Sequence, residues 1–274
     1  MQPGKDCGFH HFGSVPLPFT SPCGPALSRL VLASLLLGSA MHVQAQSSGP
    51  AVGLGLVLRQ PAYVGTDHEA RAVPLLYYEN AWLRVAGLQA DLKLPRHVFN
   101  DRHAVTGGLR VRYEDEGYEP GDSLELAGMA ERKGSAWVGA TATWHNPWVD
   151  LSVEWLGDAS RNSEGQKAQV RVSRRFAQDR FALTPRVQVD WLSSEYVDYY
   201  YGVRDTEATL GRSAYLGRSA VTQSLGVRID YALTTQHQVF MDLSLTRLPS
   251  EIKDSPLIDR RGTARTFAGY LYRF

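Results

Sequence analysis

The chain has 274 residues, 43% hydrophobic and 21% charged, with 29 Lys and Arg against 28 Asp and Glu. That near-balance leaves no basic stripe or polybasic patch of the kind that neutralises nucleic-acid phosphates, so a nucleic-acid partner is excluded. Two cysteines are too few for a disulfide framework.

Chain order begins with a segment to be set aside. Leu30 to Ala40 is an apolar run too short for a membrane helix, which needs about 20 residues. Arg29 precedes it and Val43-Gln-Ala45 follows as a small-residue cleavage site, so residues 1–45 are expected to be a secretory signal peptide, with the mature protein beginning at Gln46. The part before Arg29 is long and rich in Pro, Gly and His, which fits a translation start further in. Cys23 sits in Ser-Pro-Cys-Gly without the small apolar residues that precede a lipid-modified Cys. Removing this segment takes away Cys7 and Cys23, leaving no disulfide and no thiolate chemistry. Lys plus Arg falls from 29 to 27 and Asp plus Glu from 28 to 27, a formal balance of zero.

Residues 46–274 hold no apolar run approaching 18 residues, so no membrane helix is expected. Short alternating segments recur instead. Candidate strands cover 51–59, 73–78 and 82–93, the last two joined by a tight Glu79-Asn80-Ala81 turn. In 104–114, Val105, Leu109, Val111 and Tyr113 share one face, and Arg110, Arg112 and Glu114 the other. Residues 115–135 break the pattern, with a possible short helix at Leu124 to Ala130 in a long loop. Strands follow at 137–144 and 148–157, turned at His145-Asn-Pro147, and at 166–176 and 181–192, turned at Ala177-Gln-Asp179. After a Tyr-rich connection come 221–233 and 238–248, turned at Thr234-Thr-Gln236.

The last strand, Ala264 to Phe274, puts Tyr270, Tyr272 and Phe274 on one face and Arg265 and Arg273 on the other. A final Phe preceded by Tyr at the same parity resembles the C-terminal signal by which outer-membrane barrels are recognised and inserted. The other reading of this strand is the edge of a soluble sandwich.

The polar faces decide between them. A solvated sandwich face would be Thr, Ser and Lys, with open edges to guard. Here charges recur mid-strand: Arg110, Arg112, Asp150, Glu154, Arg171, Arg175, Arg186, Asp190, Arg228, Asp230 and Asp242. Inside a closed barrel such charges would pair across the lumen. In lipid, only helices and closed barrels satisfy the backbone. Most of Trp82, Trp137, Trp144, Trp148, Trp155 and Trp191 lie near strand ends, where interfacial girdles belong. The expected fold is therefore an all-β, antiparallel, up-and-down transmembrane barrel in contact with outer-membrane lipid.

Eleven segments are identified, and an even number is required. Twelve strands are expected, with ten as the alternative. The missing strand is sought in Tyr196 to Val203, or in a break between residues 82 and 135. Tight turns at 79–81 and 145–147 conflict under simple counting, because all tight turns should fall on the periplasmic side.

Four motifs resemble those of the MipA/OmpV family of outer-membrane proteins. They are Tyr63-Val-Gly-Thr-Asp67 followed by Val73 to Tyr78; Leu126-Ala-Gly-Met129 with Arg132; Val197-Asp-Tyr-Tyr-Tyr-Gly-Val203 with Glu207 and Tyr215; and Ile252-Lys-Asp-Ser-Pro256. The resemblance implies an integral outer-membrane barrel. It also implies a scaffold joining a murein lytic transglycosylase to a murein synthase, while other members of the family are porin-like or adhesive.

No catalytic, cofactor or metal site emerges. The histidines after residue 45 (His68, His97, His103, His145 and His237) fall near predicted loops or strand ends, and a metal site needs three or four convergent ligands. No serine sits in a nucleophile-like turn, so an enzyme is not expected. The candidate contacts are Tyr199, Tyr200, Tyr201 and Asp254. The tyrosines either anchor in the interface with Tyr200 packed inward, or belong to a loop over the mouth that offers contacts to a glycan or protein. Asp254 is expected to shape a turn with Pro256, and Gly202 to adopt a backbone conformation closed to other residues. Three roles stay open: a murein-enzyme scaffold, a narrow channel of low conductance, and an adhesin acting through loops 115–135 and 203–220.

Overall fold

Antiparallel pairing runs unbroken around the chain and returns to its start. The computed structural model describes residues 49–274; the expected signal peptide and both cysteines lie outside them. The strands are β1 (Ala51–Arg59), β2 (Glu69–Glu79), β3 (Leu83–Ala86), β4 (Gln89–Lys93), β5 (His97–Asn100), β6 (His103–Glu114), β7 (Ser135–His145), β8 (Asp150–Asp158), β9 (Gln166–Ser173), β10 (Phe176–Gln178), β11 (Phe181–Leu192), β12 (Ala220–Ala232), β13 (His237–Arg247) and β14 (Gly262–Arg273). β4 and β5 both pair with β6 and form one stave, interrupted at Pro95, which cannot donate to a ladder. β9 and β10 likewise share β11 across a break at Arg174 and Arg175. Twelve staves result. The β1–β14 pairing, from Ala51↔Arg273 to Arg59↔Arg265, closes the barrel.

The twelfth strand comes from the stretch 82–93, which is a hairpin and not one strand. β3 and β4 pair Ala86↔Gln89 around Gly87 and Leu88, and Gly87 has φ +59, the left-handed region that two-residue hairpin turns demand. The other proposed location is excluded, since 194–201 form helix α1 (Ser194–Tyr201), N-capped by Ser193. Splitting 82–93 also removes the turn conflict. Turns at 80–82, 101–102, 146–149, 179–180 and 233–236 now share one end with both barrel termini. Asn80 Oδ1 accepts from the N–H groups of Trp82 and Leu83, and Asn146 Oδ1 from those of Trp148 and Val149. This end is periplasmic, because outer-membrane barrels carry short turns there and long loops outside. The long connections 60–68, 115–134, 193–219 and 248–261 fall at the other end. Within them lie a 3-10 turn at Leu124–Leu126 and the short helix α2 (Ser250–Lys253).

Period-two alternation sorts the side chains. Leu54, Leu76, Leu109, Val153, Val187, Leu225 and Leu245 point outward and are exposed. An apolar surface running round the whole wall would aggregate in water and needs acyl chains against it. Trp155 and Trp191 stack on this outer surface at 5.7 Å. Trp137 departs from the expected girdle: it points inward and is 0% exposed.

Candidate functional site

The inward face is ionic at mid-height. Asp91 is a hub, accepting from Arg84 at 2.7 Å and Arg110 at 2.6 Å. Arg110 also contacts Glu154, which receives Arg112 at 3.1 Å. Arg112 continues to Glu114 at 2.7 Å, and Glu114 to Lys167. On the far wall Arg186 forks onto Asp242 at 2.7 and 2.8 Å, and Asp230 takes Arg228 at 2.9 Å and Arg175 at 3.3 Å. Asp190 accepts from Gln169 and Gln188, Arg171 donates to Gln188, and Asp150 meets His145 Nδ1 at 2.7 Å. Some pairs join neighbouring staves, as Asp91 does with Arg84 and Arg110, while Arg110–Glu154, Arg112–Glu154, Glu114–Lys167 and Arg186–Asp242 reach past at least one stave. Asp91 and Lys167 complete the network; both share a polar parity, but Asp91 lay hidden in the unsplit 82–93 stretch. Side-chain exposure within the network ranges from Glu154 at 4% to Arg175 at 45%.

The extracellular half is filled. Trp137, Leu156, Leu192, Ala220 and Leu248 face inward from the upper staves and form one apolar cluster with Tyr63, Tyr118, Leu126, Met129, Tyr196, Val197, Tyr200, Ile252 and Leu257 from the loops. Loops from four parts of the chain therefore fold into the mouth and cap it. Many of their buried polar groups are tied to one another, as the low dielectric of such a site favours, although Tyr118 Oη and Trp137 Nε1 have no hydrogen-bond partner among the described residues. Tyr63 Oη donates to the Tyr200 carbonyl at 3.2 Å, and Val64 N–H to the Leu257 carbonyl at 2.8 Å. Ser255 Oγ donates to the Tyr201 carbonyl at 2.6 Å, and Tyr215 Oη to that of Glu251 at 3.0 Å.

The central latch of the cap is ionic. Arg132 Nη2 lies 2.8 Å from Glu207 Oε2, and both Arg132 Nη atoms reach Glu207 Oε1 at 3.1 Å. Arg132 Nε donates to the Tyr199 carbonyl at 2.7 Å. Arg212 ties the same region together by donating to the carbonyls of Glu125 and Glu207. Burial alone would raise the Glu207 carboxyl, but the Arg132 guanidinium and the N–H groups of Ala130 and Arg204 outweigh it and hold the group down at about 2. Burial pushes the Tyr63, Tyr196 and Tyr201 phenols up, with the Glu116 carboxylate adding to it.

Of the candidate contacts, Tyr200 is buried and donates to Lys133 O and Ser135 Oγ. Tyr199 receives the Lys133 N–H at 2.9 Å, and Tyr201 packs against the cluster. All three are mortar in the cap and none lies in the lipid interface. Asp254 caps α2, its N–H donating to the Ser250 carbonyl at 2.9 Å. Gly202 has φ −75, an ordinary conformation, so the expectation for it is corrected: it is held by space, a Cβ there meeting the Asp198 backbone and carboxylate. At the opposite end Tyr270 Oη lies 2.5 Å from His237 Nδ1, and the Tyr272 and Phe274 rings meet edge-on at 5.1 Å. Among the described residues no three His, Cys, Asp or Glu converge to hold a metal ion. His97 packs on Phe99 and His103 on Trp144.

Tyr63, Leu126 to Met129, Arg132, the 197–203 segment, Glu207, Tyr215 and 252–257 thus meet in one body. The family description MltA-interacting protein MipA matches residues 52–274. The chain belongs to the MipA family. It is 24% identical to the MltA-interacting protein of Escherichia coli (strain K12) over 249 residues, 90% of this chain and 98% of that one. It is 26% identical to the outer membrane protein Omp26La of Vibrio anguillarum over 189 residues, 68% of this chain and 74% of that one. Among solved structures, a bacterial polysaccharide outer membrane secretin superposes with a TM-score of 0.42 at 10% identity, covering 83% of this chain and 99% of that one. Strand pairing and MipA membership, not that superposition, define this molecule as an outer-membrane β-barrel.

Proposed function

We propose that this MipA-family barrel is a structural scaffold, closed to bulk flow, that holds a murein lytic transglycosylase and a murein synthase at the inner face of the outer membrane. The observation that carries this reading is the packed, ion-latched cap in the extracellular mouth. A barrel so closed is better suited to holding than to conducting. Support comes also from a relative named for its interaction with MltA, aligned over 98% of its length. Because the periplasmic turns are short, the docking surface would be the rim as a whole. Trp82 and Trp148, exposed on two of these turns, are its natural anchors. Crosslinked envelopes carrying a tagged chain should yield a lytic transglycosylase, and Trp82→Ala with Trp148→Ala should reduce its recovery. Recovery of no murein enzyme at all would overturn the proposal.

Adhesion is the second reading. It is favoured by Leu124, Leu210 and Leu216, exposed on extracellular loops that Arg212 joins. Replacing the three with Ser without loss of host-cell or matrix binding would remove it.

A further inference from the structure

The barrel wall is not of even height. β3 has four residues and β4 five, a length of roughly 13–17 Å along the strand at about 3.3 Å per residue. Tilted by roughly 40°, they cover about half of an apolar band roughly 25 Å tall. β3 meets β2 only at Tyr77, Tyr78 and Glu79. Above the Gly87–Leu88 tip, the edge of β2 from Glu69 to Pro74 has no strand beside it, while on its other side β1 pairs with it throughout. The Leu76 carbonyl accepts from Gly87 N–H, so alternate residues Pro74, Ala72 and Ala70 turn their backbone toward the same open side. Proline is tolerated in a strand only where its missing N–H faces such an edge. The opening lies level with Leu54, Leu56 and Leu58, which point into lipid.

β2 forms one side of the gap, and the hairpin tip, where Tyr113 N–H donates to the Leu88 carbonyl at 3.0 Å, forms the sill; β6 ends at Glu114, one residue above that sill. Across the top, the chain leaving β6 is tied to the first two staves. Arg59 donates to the Asp115 carbonyl at 2.6 Å, and Arg71 pairs with the Asp115 carboxylate. Above this tie a polar cavity of about 390 Å³ runs from Arg59, Glu69 and Arg71 up into the extracellular loop residues 116–119 and 131–134, so the charged groups stand between the gap and the loops. Just inside, the otherwise ionic lumen carries an apolar patch in which Leu75, Phe240 and Leu271 are joined by Val73 and Phe267. The Phe267 ring lies over Gly55 and the Phe240 ring over Gly269, so the patch is flat against the wall.

We infer that this window is a lateral portal through which an acyl chain of the surrounding outer-leaflet lipid reaches the apolar patch inside the barrel. The patch has no role in closing the mouth; Arg228 of the ionic network lies over its Phe240 ring at 4.2 Å, and Val73 is the part of it that borders the lipid-level opening. The Arg71–Asp115 tie acts as the lintel that limits entry.

The test uses single cysteines labelled with bimane in a chain whose Cys7 and Cys23 are replaced by serine, reconstituted in vesicles of brominated phosphatidylcholine. Leu54→Cys reports the lipid face, Val73→Cys the patch behind the window, and Ser152→Cys the inner face of the distant β8. Each is first shown to be folded by its heat-dependent gel shift. Quenching at Val73 of at least half that at Leu54, with little at Ser152, is expected. Quenching at Val73 no greater than at Ser152 would overturn the portal. Arg71→Ala with Asp115→Ala should raise quenching at Val73 about twofold, and an unchanged value would remove the lintel from the scheme.

Discussion

Glu207→Gln tests the cap most directly. In the folded chain the Glu207 carboxyl is held at about 2 against an ordinary 4.5. A separation of roughly 2.5 units corresponds to about 3 kcal/mol, at about 1.36 kcal/mol per unit. That agrees with the roughly 3–5 kcal/mol lost when one partner of a buried ion pair is removed. Since the folded value is depressed, the stabilisation is fully present above about pH 4.5 and is lost as pH falls toward 2. The cap is a local unit, so the readout is amide hydrogen exchange in α1 and residues 203–215, measured in detergent micelles. Exchange there should quicken roughly 100-fold at neutral pH in the variant, while amides of β12 and β13 stay unchanged. The difference between variant and parent should shrink to within about fivefold near pH 2.5. Equal exchange rates at pH 7 would refute the assignment of Glu207 as the latch. A difference that persists undiminished at low pH would show that its charge is not what matters.

Other consequences follow from the same geometry. Trp137→Ala empties the seat of the cap and should cost about 3–5 kcal/mol in urea unfolding from micelles; a loss under about 1 kcal/mol would show the cap does not rest on it. Asp91→Asn deprives Arg84 and Arg110 of a shared carboxylate and should cost about 2 kcal/mol, read as a lower temperature for the gel-mobility shift. Parent protein in planar bilayers should show only small conductance steps, and removal of residues 194–203 should enlarge them severalfold; large stable steps from the parent would contradict the closed mouth.

Much of the wall was legible because its physics is local. Outward Val and Leu against inward Arg and Asp write themselves into a strand with period two, as in β6 and β8, and the tight turns announce themselves through Asn80 and Asn146. The β3–β4 hairpin was not legible. Its turn is Gly87-Leu88 with no Asn or Asp, and a two-residue turn leaves the alternation of Arg84, Ala86, Gln89 and Asp91 looking like a strand with a hiccup. Trp137 misled for a different reason. Near a strand end, a tryptophan suits lipid headgroups or an inward cap equally, and only the packing of Tyr196 and Lys167 against its ring decides. The tyrosines of 199–201 left two readings open in sequence, interface anchors with Tyr200 inward or contacts at the mouth, because their partners lie in other loops: their carbonyls accept from Arg132, Tyr63 and Ser255.

The two halves of this molecule place different demands on sequence. Outward positions on the wall need only be apolar, so Val, Leu, Ile and Met are nearly interchangeable there, and ladder hydrogen bonds are made by the backbone whatever the side chain. The cap has no such latitude. Arg132 must fork onto Glu207, Tyr63 must reach the Tyr200 carbonyl, and Ser255 must reach that of Tyr201. A lysine in place of Arg132 could not make the forked contact and the Tyr199 bond together. This explains why segments distant in sequence, which on their own suggest only turns, carry the likeness to the MipA family: each is one side of a contact whose other side lies in another loop. It also locates the functional question. A chain that needed only to line a pore would have no use for so exacting a closure, whereas one whose work lies on the periplasmic side, or in the leaflet beside β2, gains from a mouth that stays shut.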